Sequence, residues 1–356
     1  MKIAAGLAIL ACGFAAVWMS LWRAPADPLP LCAGLAAGSL LAGWLVDRWR
    51  PKPVLVAGLL LLGAASRCLA AIPRFDAWPR LWMGALGLGA GMTLVAANAL
   101  VPAAARGGRA ATLNLLNLLL PVGAVFSAAF GPDPVARLAT LVCAVAALGG
   151  ALWTRAPAPP ESAAAETRPA IPLVALLLFL YAACEAAIWS RLVAYMSAVK
   201  VLAPETSWQI LCYGLPLGLI AGRVWSARLL ANVAPPRVLR FASLAMTFST
   251  PLLLLARSPS ASWIAGFLVG VAMAPVLPTT LAMASDALSR RPATGMGIAL
   301  AAGALGLAAS GPLIAWIASR SSLPTAMLIL PVLSLGMGQV TIAMRPAAAN
   351  PRQRAD

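Results

Sequence analysis

The sequence predicts an all-α membrane protein, and two observations lead there: the composition and the length of the apolar runs. Hydrophobic residues make up 62% of the 356 positions and charged residues 10%, with a mean hydropathy of +0.89. A water-soluble domain of this size needs more polar surface. The runs match the roughly 20 residues that cross a bilayer as a helix, and the alternating pattern of barrel strands is absent.

Twelve such runs follow one another along the chain with short connections. The first follows Lys2 and resembles a secretory signal in its small residues, but no good cleavage site follows, so it is predicted to be a span. Almost nothing remains for a soluble domain. The predicted transmembrane helices are 3–22, 28–47, 53–72, 79–104, 110–131, 135–153, 171–199, 206–231, 237–256, 260–285, 293–318 and 323–344.

The basic residues of the chain are distributed unequally between the loops on the two sides of the membrane. The formal net charge of +16 would suggest nucleic acid in a soluble protein, where basic residues cluster on one face. Here most basic residues fall in cytoplasmic segments if both termini are inside, as the positive-inside rule expects. We therefore predict a multi-pass protein of the cytoplasmic (inner) membrane with both termini cytoplasmic, the lipid bilayer as partner and no nucleic acid. Examples of these basic residues are Arg48, Arg50, Lys52, Arg290 and Arg291.

The residue types that are missing argue against an enzyme. The chain has no histidine, and its six cysteines lie in or beside apolar runs, where they act as small buried hydrophobes. Intramembrane hydrolases and transferases need paired carboxylates, a histidine cluster or an activated nucleophile. We predict no enzymatic activity, no metal and no cofactor.

A Pro- and Ala-rich segment divides the spans into two sets of six. The stretch RAPAPPESAAAETRP, from Arg155 to Pro169, is typical of an extended linker. The prediction is a six-helix bundle at 1–153, a cytoplasmic linker at 154–170, a second six-helix bundle at 171–344 and a cytoplasmic tail at 345–356. Parallel halves of this kind place a substrate site between them, near the middle of the membrane.

The two halves also echo each other in sequence. GWLVDRW after span 2 and GRVWSARLL after span 8 each combine a glycine near a helix end with basic residues and a new apolar run. We interpret this as a degenerate internal repeat. In that alignment Gly43 matches Gly222, and Asp47 matches Ser226, so the second copy lacks the acidic residue.

The loop after span 2 resembles the signature of the major facilitator superfamily, Gly-x-Leu-x-Asp-Arg-x-Gly-Arg-Arg/Lys. The matching residues are Gly43, Leu45, Asp47, Arg48 and Lys52, whereas Arg50 and Pro51 depart from the pattern. The resemblance covers the whole chain and implies a transporter fold of two six-helix bundles. It also implies that Gly43, Asp47 and Arg48 act in gating, with the carboxylate latching one conformation across the halves.

Further stretches are similar to the fucose permease and related sugar and proton symporters. This branch usually carries acidic residues in helices 1 and 4, whereas span 1 has none and Leu94 stands at the helix 4 position. Proton coupling by that route is therefore not expected. The similar stretches are GLGAGMTLVAANALV, LNLLNLLLPVGA, FLYAACEAAIWSRL, GRVWSARLL and VAMAPVLPTTLA.

Glu185 is the one acidic residue predicted in the middle of a span. Burying a carboxylate there costs about 2.5 to 3.5 kcal/mol on insertion scales, so such residues usually face a cavity and serve a function. Tyr181 and Trp189 share its helix face, four residues before and after. A carboxylate between a phenol and an indole suits a sugar. The alternative is that Glu185 pairs with Arg67 or Arg191 and only joins helices, while the aromatic residues serve packing.

Five neutral polar residues form a second candidate set on spans 4, 5 and 8. Amide side chains suit polyols because each donates and accepts hydrogen bonds. The alternative is hydrogen bonding between helices, worth under about 2 kcal/mol per bond. The set consists of Asn98, of Asn114 and Asn117 on one face, and of Gln209 and Tyr213 on another.

These observations predict a secondary active transporter that moves a small polar solute, most simply a sugar, by alternating access. Glu185 is the candidate proton-coupling residue of a symporter, and a monomer is expected. Drug or metabolite efflux by the same superfamily is the alternative, since efflux pockets are broadly apolar and aromatic. A receptor or scaffold derived from a transporter is a further alternative, which a measured flux would exclude.

Overall fold

The computed structural model describes residues 2–22, 28–71, 78–101, 108–130, 171–199 and 202–344, together with scattered positions between 138 and 149. Within these ranges the chain is helical and has no strand. The helices are α1 (Lys2–Trp22), α2 (Leu29–Arg48), α3 (Pro51–Ala71), α4 (Trp78–Ala99), α5 (Arg109–Asn117), α6 (Leu119–Phe130), α7 (Ile171–Ala198), α8 (Pro204–Gln209), the π-helix π1 (Ile210–Gly214), α9 (Leu215–Leu229), α10 (Pro235–Leu255), α11 (Pro259–Met273), α12 (Val276–Ala287), α13 (Pro292–Arg320), α14 (Leu323–Met327) and α15 (Ile329–Ala343).

Ten helical segments in the described ranges are long and apolar enough to cross a membrane. They correspond to the predicted spans 2–5 and 7–12, and α1 contains a shorter apolar stretch, Ala4–Phe14. Predicted span 6 at 135–153 is described only at scattered positions, and the linker at 154–170 and the tail at 345–356 lie outside the described residues. The chain is therefore an all-helical, multi-pass membrane protein.

Four of the predicted spans are interrupted, and prolines explain the interruptions. A proline has no N–H and cannot bond the carbonyl four residues before it. Span 5 breaks at Leu118, shortly before Pro121, and span 10 breaks before Pro275. Span 8 passes through π1, where the Leu215 N–H donates to the Ile210 carbonyl beside Pro216. Span 12 is divided into α14 and α15 near Pro331.

The helices pack into two groups along the chain. In the first, α4 packs against α2 and α3, and α1 packs against α6; in the second, α7 packs against α13, α9 against α11, and α10 against α15. Glycines allow the closest of these contacts. A Cβ added at Gly34 of α2 would collide with the backbone carbonyl of Gly84 in α4.

The two groups meet along α2 with α13 and along α5 with α9 and α12. We call the end of the molecule where α2 ends and α13 begins the latch end. A Cβ at Gly43 would lie 2.8 Å from the carbonyl oxygen of Ala293, so the backbones of α2 and α13 touch there. The N-terminal and C-terminal helices are thus in direct contact at the latch end.

Large apolar side chains cover the outside of the helices. Leu60, Leu305 and Phe248 are 58%, 60% and 71% exposed. Exposed apolar surface of this extent is unfavourable in water and favourable in hydrocarbon. The outward faces therefore match a lipid environment, while the buried polar side chains lie inside.

Candidate functional site

Glu185 lies in the middle of α7, with Tyr181 one turn before it and Trp189 one turn after it. The Glu185 carboxylate interacts with both aromatic side chains. Tyr181 is 1% exposed, and its hydroxyl lies near enough to interact with Glu185 but makes no hydrogen bond of good geometry. The helix spacing thus gathers the three predicted residues on one face and leaves a buried phenol with unused hydrogen-bonding capacity.

The arginine that acts electrostatically on Glu185 is Arg223 of α9, and neither Arg67 nor Arg191 takes that role. No nitrogen of Arg223 lies within 4.0 Å of the Glu185 carboxylate, so the two charges do not form a direct ion pair. Arg223 interacts electrostatically with both Glu185 and Tyr181. It is 1% exposed and is the one charged side chain among the fully buried residues that the structure describes. A buried arginine needs an opposite charge or several acceptors. Arg223 is not among the site residues predicted from the sequence.

Two carbonyls that prolines leave free accept hydrogen bonds from Arg223. Its Nη1 donates to the Asn117 carbonyl, and its Nε donates to the Ala274 carbonyl at 3.4 Å. The residues four positions later are Pro121 and Pro278, which have no N–H to offer. Asn117 belongs to the N-terminal helices and Ala274 to the C-terminal ones, so Arg223 joins the two groups.

Three buried asparagines lie beside this contact, and two of them are hydrogen-bonded to each other. The Asn117 amide donates to the Asn98 side-chain oxygen at 2.7 Å, and the Asn98 amide donates to the Leu94 carbonyl at 2.7 Å. The Asn114 amide donates to the Thr279 hydroxyl of α12 at 3.0 Å, which is a second bond between the groups. The predicted Asn98, Asn114 and Asn117 are therefore brought together, and all three are fully buried.

Several polar atoms in this region are buried without a hydrogen-bond partner. They are the side-chain oxygens of Asn114 and Asn117, the Tyr181 hydroxyl and the Thr280 hydroxyl. A buried polar atom without a partner costs about 1–3 kcal/mol.

Gln209 and Tyr213 have no recorded hydrogen bond to this network within the described residues. Gln209 is exposed and Tyr213 is half-buried. The prediction that they share one face assumed a regular α-helix. Instead, the π-helix π1 begins at Ile210, and its hydrogen bonds join residues that are five positions apart. Their place in a solute site stays a prediction.

At the latch end, Asp47 accepts hydrogen bonds from the first turn of α13. Its carboxylate accepts from the Ala293 N–H at 3.1 Å, the Thr294 N–H at 2.7 Å and the Thr294 hydroxyl at 2.7 Å. A carboxylate at a helix N-terminus satisfies free N–H groups and opposes the positive end of the helix dipole. Arg48 lies over the Trp44 ring at 5.7 Å. Asp47 thus caps a helix of the opposite group.

A second pair of charges lies near this cap. Arg109, at the start of α5, interacts electrostatically with Asp286 near the end of α12 and with Asp47. The latch end therefore carries opposite charges from both groups of helices.

Two clefts in the structure are outside the polar network. One lies on α3 beside Lys52 and Leu60, and one lies at the latch end beside Asp47 and Arg291. Neither cleft is lined by Glu185 or the asparagines, and the three asparagines are fully buried, whereas Glu185 is half-buried. The described residues contain no group of His, Cys, Asp and Glu side chains that fits a metal ion.

Comparisons of sequence alone found no match, whereas comparison of structures did. Neither a family model nor a curated protein matches the sequence. The structure resembles that of the E. coli fucose:proton symporter at 17% identity and a TM-score of 0.75, with 97% of this chain and 98% of that chain covered.

A second structure of the major facilitator superfamily transporter FucP, in the outward conformation, gives 16% identity and a TM-score of 0.78 over 97% and 99% of the two chains. The human organic anion transporter TETRAN gives 14% identity and a TM-score of 0.74 over 96% and 98%. The chain therefore has the fold of the major facilitator superfamily transporters.

Proposed function

We propose that the chain is a secondary active transporter that moves a small polar solute, with a sugar as the solute and a proton as the coupling ion. The observation that carries this proposal is the buried polar contact between the two groups of helices around Arg223 and the asparagines, with the half-buried Glu185 as the opposite charge that acts on Arg223. Ionisable groups inside a membrane protein mark solute and proton pathways. The fold adds support, since its neighbours include a fucose:proton symporter.

The proposed architecture has twelve spans in two bundles, at 1–153 and 171–344, joined by a cytoplasmic linker at 154–170. Both termini, including the tail at 345–356, are then cytoplasmic, and the latch end faces the cytoplasm of a cell whose inner membrane holds the protein as a monomer. The solute site lies between the bundles, as inverted-repeat transporters arrange it.

Gly43, Asp47 and Arg48 are the proposed gate. The bonds from Asp47 to the N-terminus of α13 join the bundles at the latch end. Opening that end requires these bonds to break, together with the bond from Arg223 to the Asn117 carbonyl. The solute site and the gate are thereby coupled, because the same separation of helices breaks both contacts.

Glu185→Gln tests the proposal in proteoliposomes. Labelled fucose, glucose and related sugars are offered with and without an inward proton gradient. We expect gradient-driven uptake by the wild type and, in the variant, uptake at the rate seen without a gradient, because an amide neither binds nor releases a proton at these pH values. Glu205→Gln, at an exposed glutamate, is the matched control and should behave as the wild type.

Efflux of drugs or metabolites is the second candidate function. The half-buried Trp189 and the aromatic Tyr181 would suit an apolar solute, and an organic anion transporter shares the fold. Absence of uptake for every sugar, with extrusion of amphipathic compounds, would replace the sugar proposal by this one.

A further inference from the structure

Among the described residues near the middle of the helix bundle, the charges balance only while Glu185 is ionised. Arg223 carries one positive charge and Glu185 one negative charge, and the titratable neighbours of Glu185 on its own helix are Tyr181 and Cys184. Arg191 lies on α7 six residues after Glu185, and within the described ranges the helices that pack closely against α7 add no other charge near the middle of the bundle. Their charged residues are Asp286, Arg320 and Glu205, which lie at or near helix ends.

A proton on Glu185 would leave Arg223 as a buried cation without a counter-charge. The two bonds that the structure records for Arg223 go to neutral carbonyls, which do not cancel its charge. An uncompensated charge away from water is strongly disfavoured. Protonation and the arrival of an anion beside Arg223 therefore favour each other, because the anion replaces the charge that the proton removes.

The uncharged part of the site is suited to hydroxyl groups. The side-chain oxygens of Asn114 and Asn117 are buried acceptors without a partner, and the buried Tyr181 hydroxyl makes no hydrogen bond of good geometry. A guanidinium has five N–H donors in a planar fork that fits a carboxylate. Only 1% of the Arg223 surface is exposed, and the residue lies at the contact between the two groups of helices.

We propose that the solute is a monoanionic polyhydroxy carboxylate of the sugar-acid class, whose carboxylate binds Arg223 and which is carried together with one proton on Glu185. This inference rests on the proposed carrier function and specifies its solute. The net charge of the site is then zero both without solute and with solute and proton bound. A neutral sugar would leave the protonated site with a net positive charge.

The first test compares each sugar with the acid that differs from it only at C6. Counterflow by the full chain in proteoliposomes is measured with D-glucuronate against D-glucose and with D-galacturonate against D-galactose. We expect the concentration that gives half-maximal counterflow to be about tenfold lower for each acid than for its parent sugar, since hydrogen bonds to charged groups are stronger than those between neutral groups. We also expect about one proton taken up per acid bound from weakly buffered solution, by linkage.

Variants separate the two charges. Arg223→Gln should remove the preference for the acid, and Glu185→Gln should bind the acid without proton uptake and with no dependence on pH. Arg228→Gln, at an exposed arginine of the same helix, is the matched control and should keep the wild-type preference. Arg223→Lys keeps the charge but not the planar fork of donors, so it should retain part of the preference for the acid. It replaces Arg223→Gln in the test if that variant does not fold.

The outcomes distinguish this inference from the function on which it rests. Counterflow of glucose or galactose without any preference for the acids would overturn the inference and leave the sugar carrier standing. Binding of the acids without proton uptake by the wild type would also overturn it. If none of the four compounds moves or binds, the inference falls, and the proposed sugar transport falls with it if fucose also fails to move.

Discussion

At the scale of single residues, Asp47 shows how one carboxylate can hold two groups of helices together. It accepts three hydrogen bonds from the first turn of α13. Asparagine is similar in shape but has no charge and only one acceptor oxygen. Asp47→Asn should therefore lose about 1–2 kcal/mol of the contact, given the value of hydrogen bonds to charged groups.

This loss should shift the population of molecules toward the state open at the latch end by about tenfold. Spin labels at Arg48→Cys and Arg291→Cys, both exposed positions beside the cleft, measure the distance between α2 and α13. The labelled cysteine at position 48 also removes the cation–π contact between Arg48 and Trp44. In the protein with Asp47 intact, this change should shift the population less than Asp47→Asn does, since exposed contacts of that kind are worth about 0.5–1 kcal/mol. An unchanged distance distribution in Asp47→Asn would contradict the latch.

The residues of the network differ in how visible they are in the sequence. Glu185 stands out because a carboxylate in the middle of an apolar run is costly to place in the membrane interior, whichever side of the helix it lies on. Arg223 does not, because a basic residue eight positions before the end of predicted span 8 fits the general pattern of basic helix ends. Its burial depends on Pro121 and Pro278, which lie on two other helices, and only the tertiary structure brings their freed carbonyls to it.

At the scale of helices, the prolines determine where Arg223 can bind. Pro121→Ala would supply an N–H to the Asn117 carbonyl, which then has a partner inside its own helix. Arg223 would lose an acceptor across the two groups, and the loss of a charged hydrogen bond is worth about 1.5–3 kcal/mol. We expect the helix itself to gain stability and transport to slow by about tenfold.

Pro251→Ala is the matched control for this prediction. Pro251 also lies inside a helix, α10, but the carbonyl that it frees is not one of the two that Arg223 contacts. Initial uptake rates and thermal unfolding of the two variants in detergent provide the comparison. Equal uptake by Pro121→Ala and Pro251→Ala would show that the freed carbonyl of Asn117 has no role in transport.

The helices themselves follow from the sequence more fully than the breaks within them. The predicted spans 2–5 and 7–12 coincide with the ten membrane-length helices, since apolar length alone decides where a span can be. The division of span 8 by π1 was not predicted, because an α-helix and a π-helix bury the same apolar residues. That division is also why the expected common face of Gln209 and Tyr213 does not follow from their spacing.

At the scale of the whole molecule, alternating access requires that the two groups of helices touch at one end and then separate. In this structure they touch at the latch end, and glycines permit the contact. A Cβ at Gly297 of α13 would collide with the backbone carbonyl of Ser39 in α2. Backbone atoms cannot move aside as a flexible side chain can, so any larger residue at Gly297 forces α2 and α13 apart.

Gly297→Leu should therefore prevent closure of the latch end and abolish transport, while the solute site stays chemically intact. Gly311→Leu is the matched control, because a Cβ at Gly311 of the same helix meets no atom within 4 Å. Flux in proteoliposomes and the labelling rate of a cysteine placed at Arg291 measure the two effects. We expect faster labelling and no flux for Gly297→Leu, and wild-type values for Gly311→Leu. Normal flux through Gly297→Leu would mean that transport proceeds without the close contact of α2 and α13, and that the latch end is not the gate.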